Sequence, residues 1–359
     1  MKHYNFFFFL IFFISAYLLM HYYVASYVYR NIFGLKNIKI IILSMAFLSV
    51  LSFLFRRIIS NPIFSYFTFL SYVWMGLVLI SVFLFLSGDL FFYIFKIENR
   101  KFYSILILIL IFLIAVKSIF NSFKIPEFKN IHFNTVLKEN IKIAVISDMH
   151  IDYKFKNRIF LEIMDKIERE KPDLIVFLGD LIDPGFELSQ GEMERIKNLK
   201  IRKIGILGNH EYYFGVDKAI EIYKKLDIEI LRNDSKYIKP INFIGFSDMK
   251  TESITAQMAI EIFKKNYRKD SLNIVLSHQP LYFKEFSSLG EVYMFSGHTH
   301  RGQIFPFHIF TKMFYGYFYG IYEENKSFLY VTSGCGSWGP PMRFMADSEI
   351  PLIEFSKLR

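Results

Sequence analysis

Cysteine is nearly missing from this chain: Cys335 stands alone among 359 residues. That excludes an intramolecular disulfide and any thiolate metal cluster, and it fits a reducing compartment. No basic stripe interleaved with stacking aromatics occurs, so nucleic acid is not expected as a partner, although the net charge is +10. The long apolar runs lack a central charged pair, which argues against a transporter or receptor. What the chain has in excess is apolar. Hydrophobic residues make up 53% and aromatics 19%, and the mean hydropathy is +0.29. The positive charge reads as solvated lysines and residues flanking apolar runs, or as attraction to anionic headgroups and phosphorylated substrates.

The apolar residues are concentrated before about residue 120, and ordinary globular proportions begin near 140. A helix needs about 20 apolar residues to cross a bilayer. Four stretches approach this, at approximately 6–29, 38–55, 66–95 and 102–120. The second is short and stops at Arg56 and Arg57. The third carries Ser87-Gly88-Asp89 near its end, which trims its expected span to about 66–88. Lys2 before the first run allows a signal-peptide reading, but three more spans follow closely, so the first helix is read as retained. Asp89 and Lys117 lie near span ends, and His21 beside Tyr22 and Tyr23 is assigned to the interfacial belt. Residues 1–122 therefore read as an anchor of about four spans, 123–140 as a linker and leading strand, and 141–359 as a separate domain. Four spans would put the N-terminus and that domain on one side. Lys and Arg divide six against six between the two sides, so charge does not orient the chain, and the cytoplasmic side is the working expectation.

Beyond 140, strand-like runs alternate with helical patterns, which argues for α/β architecture. Strands are predicted at 141–146, 174–178, 203–207, 229–231, 237–246, 272–276, 292–295, 328–332 and 350–355. Ile159, Phe160, Ile163, Met164 and Ile167 recur at helical spacing, with Pro172 as a stop. Further helices are predicted near 190–199, 217–226 and 254–265. Asp148, Asp180, Asn209, His278 and His298 each fall just after a strand-like run, where α/β enzymes assemble their sites.

Nine histidines occur in the chain, and five of them, His150, His210, His278, His298 and His300, lie in these loop positions. Asp148, Asp180, Asp183 and Asn209 join them. Imidazole, carboxylate and amide oxygen without thiolate suit manganese, iron, zinc or cobalt. Glycine precedes the polar residue in Gly179-Asp180, Gly208-Asn209 and Gly297-His298, which permits a tight turn and close approach.

Asp148-Met149-His150, Gly179-Asp180-Leu181-Ile182-Asp183, Gly208-Asn209-His210-Glu211, Ser277-His278 and Gly297-His298-Thr299-His300, taken in order, resemble the calcineurin-like metallophosphoesterase superfamily. The tail from Ser333 to Arg343 resembles its bacterial membrane-associated phosphodiesterase branch. The resemblance implies a four-layer α/β/β/α sandwich and two divalent transition-metal ions. Asp148, His150 and His300 would hold the first, with Asp180 bridging. Asn209, His278 and His298 would complete the second. His210 would be the catalytic histidine and Asp183 its orienting carboxylate. Two departures qualify this. Pro184 follows Asp183 where the protein-phosphatase branch has arginine, which argues against phosphoprotein hydrolysis. Arg301 stands where the bacterial branch often has glycine, and it reads either as a phosphate clamp or as a solvated cation. Arg343 has the same two readings.

The expected activity is that of a phosphoesterase bound to a bacterial cell membrane, a phosphodiesterase in particular, attacking through a hydroxide that bridges the two ions. Residues 305–322 carry nine Phe or Tyr side chains directly after the last metal motif. They read as packing beneath a loop, or as a contact with lipid, which makes a lipid or lipid-linked phosphoester the expected substrate. The rival readings are a metal-binding scaffold without catalysis and a pyrophosphatase of the UDP-diacylglucosamine type. Neither the metal identity nor the oligomeric state follows from these residues.

Overall fold

The computed structural model describes residues 2–55, 61–135, 137, 139–152 and 154–357. Arg56 and Arg57 lie outside the described residues. The chain divides into two compact units, one of residues 1–121, 304–306 and 339–344 and one of the remainder.

The first unit is helical: α1 (Lys2–Val28), α2 (Lys36–Phe55), α3 (Pro62–Ile94) and α4 (Arg100–Phe123). Three apolar segments, Ile11–Phe33, Ile63–Ile94 and Arg100–Phe123, are long enough to cross a membrane, and Asn37–Ser52 is a shorter apolar helix. These counts are of the described residues, and the whole of α2 runs for 20 residues. A π-helical turn, Tyr29–Phe33, follows α1 and is closed by Gly34 at φ 65°. Asn61 caps α3 by accepting from the Ile63 amide at 2.8 Å, with Pro62 at the first helical position, where its missing N–H costs nothing. Hydroxyls inside the helices donate to carbonyls one turn back, as Thr68 to Phe64 and Ser71 to Phe67 at 2.9 Å. Such bonds satisfy polar groups where no water is available.

α3 continues through Ser87-Gly88-Asp89 instead of ending there. Asp89 accepts from the Tyr23 hydroxyl at 2.8 Å and lies 3.6 Å from Arg30. His21 is fully buried. It donates Nδ1–H to the Tyr17 carbonyl (2.8 Å) and accepts from the Trp74 indole (2.9 Å), so both ring nitrogens are satisfied structurally. The two later segments complete this unit. A side chain at Gly76 would lie 2.5 Å from Met342 and 3.2 Å from Pro340. The Arg343 amide donates to the Ser118 carbonyl at 2.8 Å.

The second unit holds β1 (Glu127–Thr135), β2 (Ile141–Ile146), α5 (Lys154–Glu170), β3 (Leu174–Phe177), α6 (Gln190–Lys197), β4 (Arg202–Gly205), α7 (Asn209–Phe214), α8 (Val216–Lys225), β5 (Glu229–Ile230), β6 (Asp234–Ile238), β7 (Ile241–Gly245), α9 (Ala256–Asn266), β8 (Leu272–Leu276), α10 (Phe283–Ser287), β9 (Tyr293–Ser296), α11 (Phe307–Phe314), β10 (Gly320–Glu324), β11 (Ser327–Val331) and β12 (Glu349–Lys357). One sheet runs β1-β12-β2-β3-β4-β5 and the other β10-β11-β9-β8-β7-β6. β2 to β5 are parallel in the first, and β7, β8, β9 and β11 in the second. Parallel strands buried on both faces read as apolar runs rather than alternations, as in Leu174–Phe177.

Ile143, Val145, Val176 and Ile204 of the first sheet share a core with Phe243, Ile274, Leu276 and Phe295 of the second. Phe160, Ile163 and Ile167 of α5, with Tyr223 of α8, cover the outer face of the first. Phe263 of α9 and Phe286 of α10 cover that of the second. The layers are thus α/β/β/α. The strand predicted at 237–246 is two antiparallel strands, β6 and β7, because Lys239-Pro240 turns the chain.

Candidate metal centre

The carboxyl ends of β2, β3 and β4 in one sheet and of β8 and β9 in the other converge. His298 N–H donates to Asp148 Oδ1 at 3.0 Å, and His278 Nδ1–H donates to the Leu178 carbonyl at 2.7 Å, so each sheet anchors a loop of the other. The approach is too close for side chains at two glycines. A Cβ on Gly208 would lie 2.2 Å from Asp180 Oδ1, and one on Gly297 would lie 2.1 Å from Ser147 Oγ. Asp148, His150, Asp180, His298 and His300 all adopt left-handed φ between 49° and 68°. Such strain costs about 1–3 kcal/mol per residue and collects at functional sites.

Three groups of ligand-type side chains result among the described residues. Asp148, His150 and His300 form one, Asp180, His278 and His298 a second, and His150, Asp180 and His210 a third that overlaps both, with the ligand atoms of each group within 4.8 Å of one another. In the first, His300 Nε2 lies 3.3 Å from Asp148 Oδ1 and 3.0 Å from His150 Nε2. In the second, His278 Nε2 lies 3.1 Å from Asp180 Oδ2 and 3.2 Å from His298 Nδ1. Asp180 Oδ2 is also 3.8 Å from His150 Nε2, so this carboxylate stands between the groups. Burial opposes its ionisation, yet His278 and His210 hold its pKa well below the usual carboxylate range.

His210 opens α7. Its Nδ1 bonds Asp183 Oδ1, its backbone N–H donates to Asp180 Oδ1 at 2.9 Å, and its Nε2 lies 4.0 Å from Asp180 Oδ2. Burial alone would lower its pKa, but Asp180 and Asp183 outweigh that and push it up to about 9. Tyr213 and Trp338 flank the ring, with centroids at 5.2 and 6.0 Å.

The residues fit a pair of metal ions. Asn209 Oδ1 is buried without a hydrogen-bond partner, which is costly for an amide unless a ligand completes it. His150 and His300 also bring ring nitrogens to 3.0 Å, and His278 and His300 place theirs 3.1 and 3.3 Å from carboxylate oxygens, a donor set that a shared cation suits. The outer partners also orient the rings. His298 Nε2 contacts the Tyr315 hydroxyl oxygen at 2.7 Å. That leaves its Nδ1 facing His278, as ligating histidines require.

Arg301 does not reach any of these groups through a bond among the described residues. Its guanidinium lies 4.4 Å over the Tyr319 ring. Arg343 is fully buried and belongs to the helical unit. Two residues with clear roles were not assigned any from sequence. Glu211, fully buried, accepts from the backbone N–H groups of Gly208, Asp180, Leu181 and Ile182 at 2.8–3.1 Å, and so ties the loop after β3 to the loop after β4. Tyr315 was read only as one aromatic among many.

Residues 141–302 match the family model described as calcineurin-like phosphoesterase. An uncharacterized metallophosphoesterase of Campylobacter jejuni is 32% identical over 255 residues, covering 69% of this chain and 68% of that protein. Another, from Helicobacter pylori, is 34% identical over 226 residues, and the match covers 60% of each chain. A Danio rerio protein named transmembrane protein with metallophosphoesterase domain is 27% identical over 270 residues, covering 70% of this chain and 62% of that one. The chain belongs to the calcineurin-like metallophosphoesterase family. It spans about 60% of the length of the Helicobacter relative.

Proposed function

We propose that this chain is a membrane-anchored, metal-dependent phosphoester hydrolase, and within that class a phosphodiesterase acting on a lipid or lipid-linked phosphoester. One observation carries the reading: Asp180 is shared by two groups of ligand side chains, with His210 held at their border by Asp183. Asp148, His150, His300 and Asp180 would hold one divalent ion, and Asp180, Asn209, His278 and His298 the other. A pair of such ions supplies charge neutralisation at the phosphate and a source of hydroxide at neutral pH.

The chain's own groups do the rest. Asp183 fixes the His210 ring through Nδ1, which leaves Nε2 as the atom that carries or gives a proton. That nitrogen faces the shared carboxylate, where a departing ester oxygen would be protonated. Trp338 and Tyr213 shield the ring from bulk water. Arg301, on the loop after β9, would meet a further phosphate oxygen.

The lipid part of the reading is supported by three helices apolar enough to cross a membrane. It is supported also by α11, whose Phe310, Met313 and Phe314 are exposed. The test uses purified full-length protein with manganese and bis(p-nitrophenyl) phosphate, followed by a bacterial lipid extract read by mass spectrometry. Loss of specific lipid phosphodiesters supports the proposal. Cleavage of pyrophosphate linkages alone would move the substrate to the pyrophosphatase class. Metal binding without hydrolysis of any substrate would leave a scaffold.

A further inference from the structure

Beside the second ligand group lies a cleft of about 370 Å³, lined by Asn209, Tyr213, Lys250, Thr251, Gln279 and His298. Two of these are proposed metal ligands, so whatever fills the cleft sits next to a phosphorus atom held by the ions. The cleft is polar and carries one cation. Lys250 is exposed and makes no ion pair with a described residue. Asp248, two residues earlier, is engaged elsewhere: it accepts from the Thr251 amide at 2.9 Å and from the Gln279 amide nitrogen at 2.8 Å. The Lys250 ammonium instead lies 4.6 Å over the Tyr315 ring and donates to its hydroxyl oxygen at 3.3 Å. The same oxygen meets His298 Nε2, which places the cation two hydrogen bonds from a proposed metal ligand.

Gln279 supplies the second observation. Its amide nitrogen is committed to Asp248, while Oε1 is buried and has no hydrogen-bond partner. Leaving such an acceptor unpaired costs about 1–3 kcal/mol, so the arrangement awaits a donor. A lone ammonium and an unpaired amide oxygen in one cleft describe a ligand with an anionic group and a hydroxyl. The volume admits a small polyol or sugar moiety, and not a second acyl chain.

Resting on the phosphoesterase reading, we propose that this cleft is a subsite for a compact polar group that bears a second negative charge next to the scissile phosphoester, with Lys250 as its specificity-determining residue. The substrate class narrows accordingly, from any phosphodiester to one whose polar moiety is itself anionic. A neutral or cationic headgroup finds no partner for Lys250.

Binding separates this subsite from catalysis. Full-length protein with manganese is titrated calorimetrically with ethylphosphonate, 2-carboxyethylphosphonate and 2-aminoethylphosphonate, which differ only in the terminal group. The carboxylate form should bind most tightly and the amine most weakly. Lys250→Gln should cut the preference for carboxyethyl over ethyl by about 10- to 100-fold, the range for a hydrogen bond to a charged group. Lys250→Arg should keep the preference, and Lys250→Glu should reverse the order. A carboxyethyl form that binds no better than ethyl overturns the proposal, and so does a preference that survives Lys250→Gln. If the preference appears but no phosphodiester is hydrolysed, the subsite stands and the enzyme reading falls. If no phosphonate binds while a phosphodiester is hydrolysed, the subsite falls and the enzyme reading stands.

Discussion

An imidazole can ligate a cation only through a nitrogen that has no proton, so its other nitrogen needs a partner for the N–H. His278 uses the Leu178 carbonyl, and His298 uses the Tyr315 hydroxyl. Tyr315→Phe removes that second partner while keeping the ring. It should weaken manganese affinity about 10- to 100-fold, as measured by metal titration monitored through activity and by direct metal analysis. We propose a different role for His210, whose Nδ1 is taken by Asp183 and whose Nε2 lies 4.0 Å from Asp180 Oδ2. His210→Ala should slow turnover by about 10²–10⁴-fold and leave metal content near that of the parent. A site emptied by this substitution would make His210 a ligand instead. Asp180→Asn should lower both metal content and hydrolysis, since one carboxylate serves both groups; hydrolysis retained with one ion or none would remove the dinuclear reading. The residues legible in the sequence were those that combine ligand chemistry with a position after a strand and a glycine, as Asp180 and His298 do. Tyr315 and Lys250 were not legible as parts of the site. Their chemistry comes from neighbours 17 and 65 positions away in the chain, and nothing local marks them.

Loops carry this site, and Glu211 is what holds two of them together. Its carboxylate accepts four backbone N–H groups from the turns after β3 and β4. Glu211→Ala strands several buried donors, each worth about 1–3 kcal/mol, and should lower the melting temperature by at least about 6 °C, read by thermal denaturation. An unchanged melt would mean the turns hold without it. A second element, α11, shows its aromatic stripe to solvent: Phe307, Phe310 and Phe314 share one face, and Phe314 is 83% exposed. Phe318, by contrast, is half-buried, and its carbonyl accepts from Thr299. The aromatic segment thus divides between exposed rings on α11 and rings that pack. Phe310→Glu with Phe314→Glu in the full chain should depress turnover of lipid phosphoesters and spare a soluble diester; equal loss on both would assign these rings to packing. Long apolar or amphipathic elements such as α3, α5 and β3 were legible because their periodicity or composition spans several turns or a whole strand. α7, α10 and α11 were not, being 5 to 8 residues long, too short for a period to emerge.

At the scale of the molecule, the catalytic unit begins earlier than its first motif. β1 pairs with β12 along its whole length, from Glu127 with Glu349 to Thr135 with Lys357, and Ile131 and Phe133 enter the core between the sheets. A domain starting at Ser122 should therefore melt cooperatively. One starting at 136 should melt at a lower temperature, and equal melts would show that β1 is dispensable. The four-layer architecture was legible from strand–helix alternation and the motif order together. The helical character of the first unit was legible from its long apolar runs. The helical unit carries one more consequence, which concerns time. Its core around Gly76 is finished by Ile304, Pro340 and Met342, yet about 215 residues separate the end of α4 from Gly339. At about 5–20 residues per second, a ribosome needs roughly 10–40 s to cover that interval. The helices are made first and the segment that seals their packing follows only after that interval. A nascent chain arrested before residue 339 holds a bundle with an open seam at Gly76, so packing of the helices waits until most of the second unit, all but its last strand β12, has been synthesised.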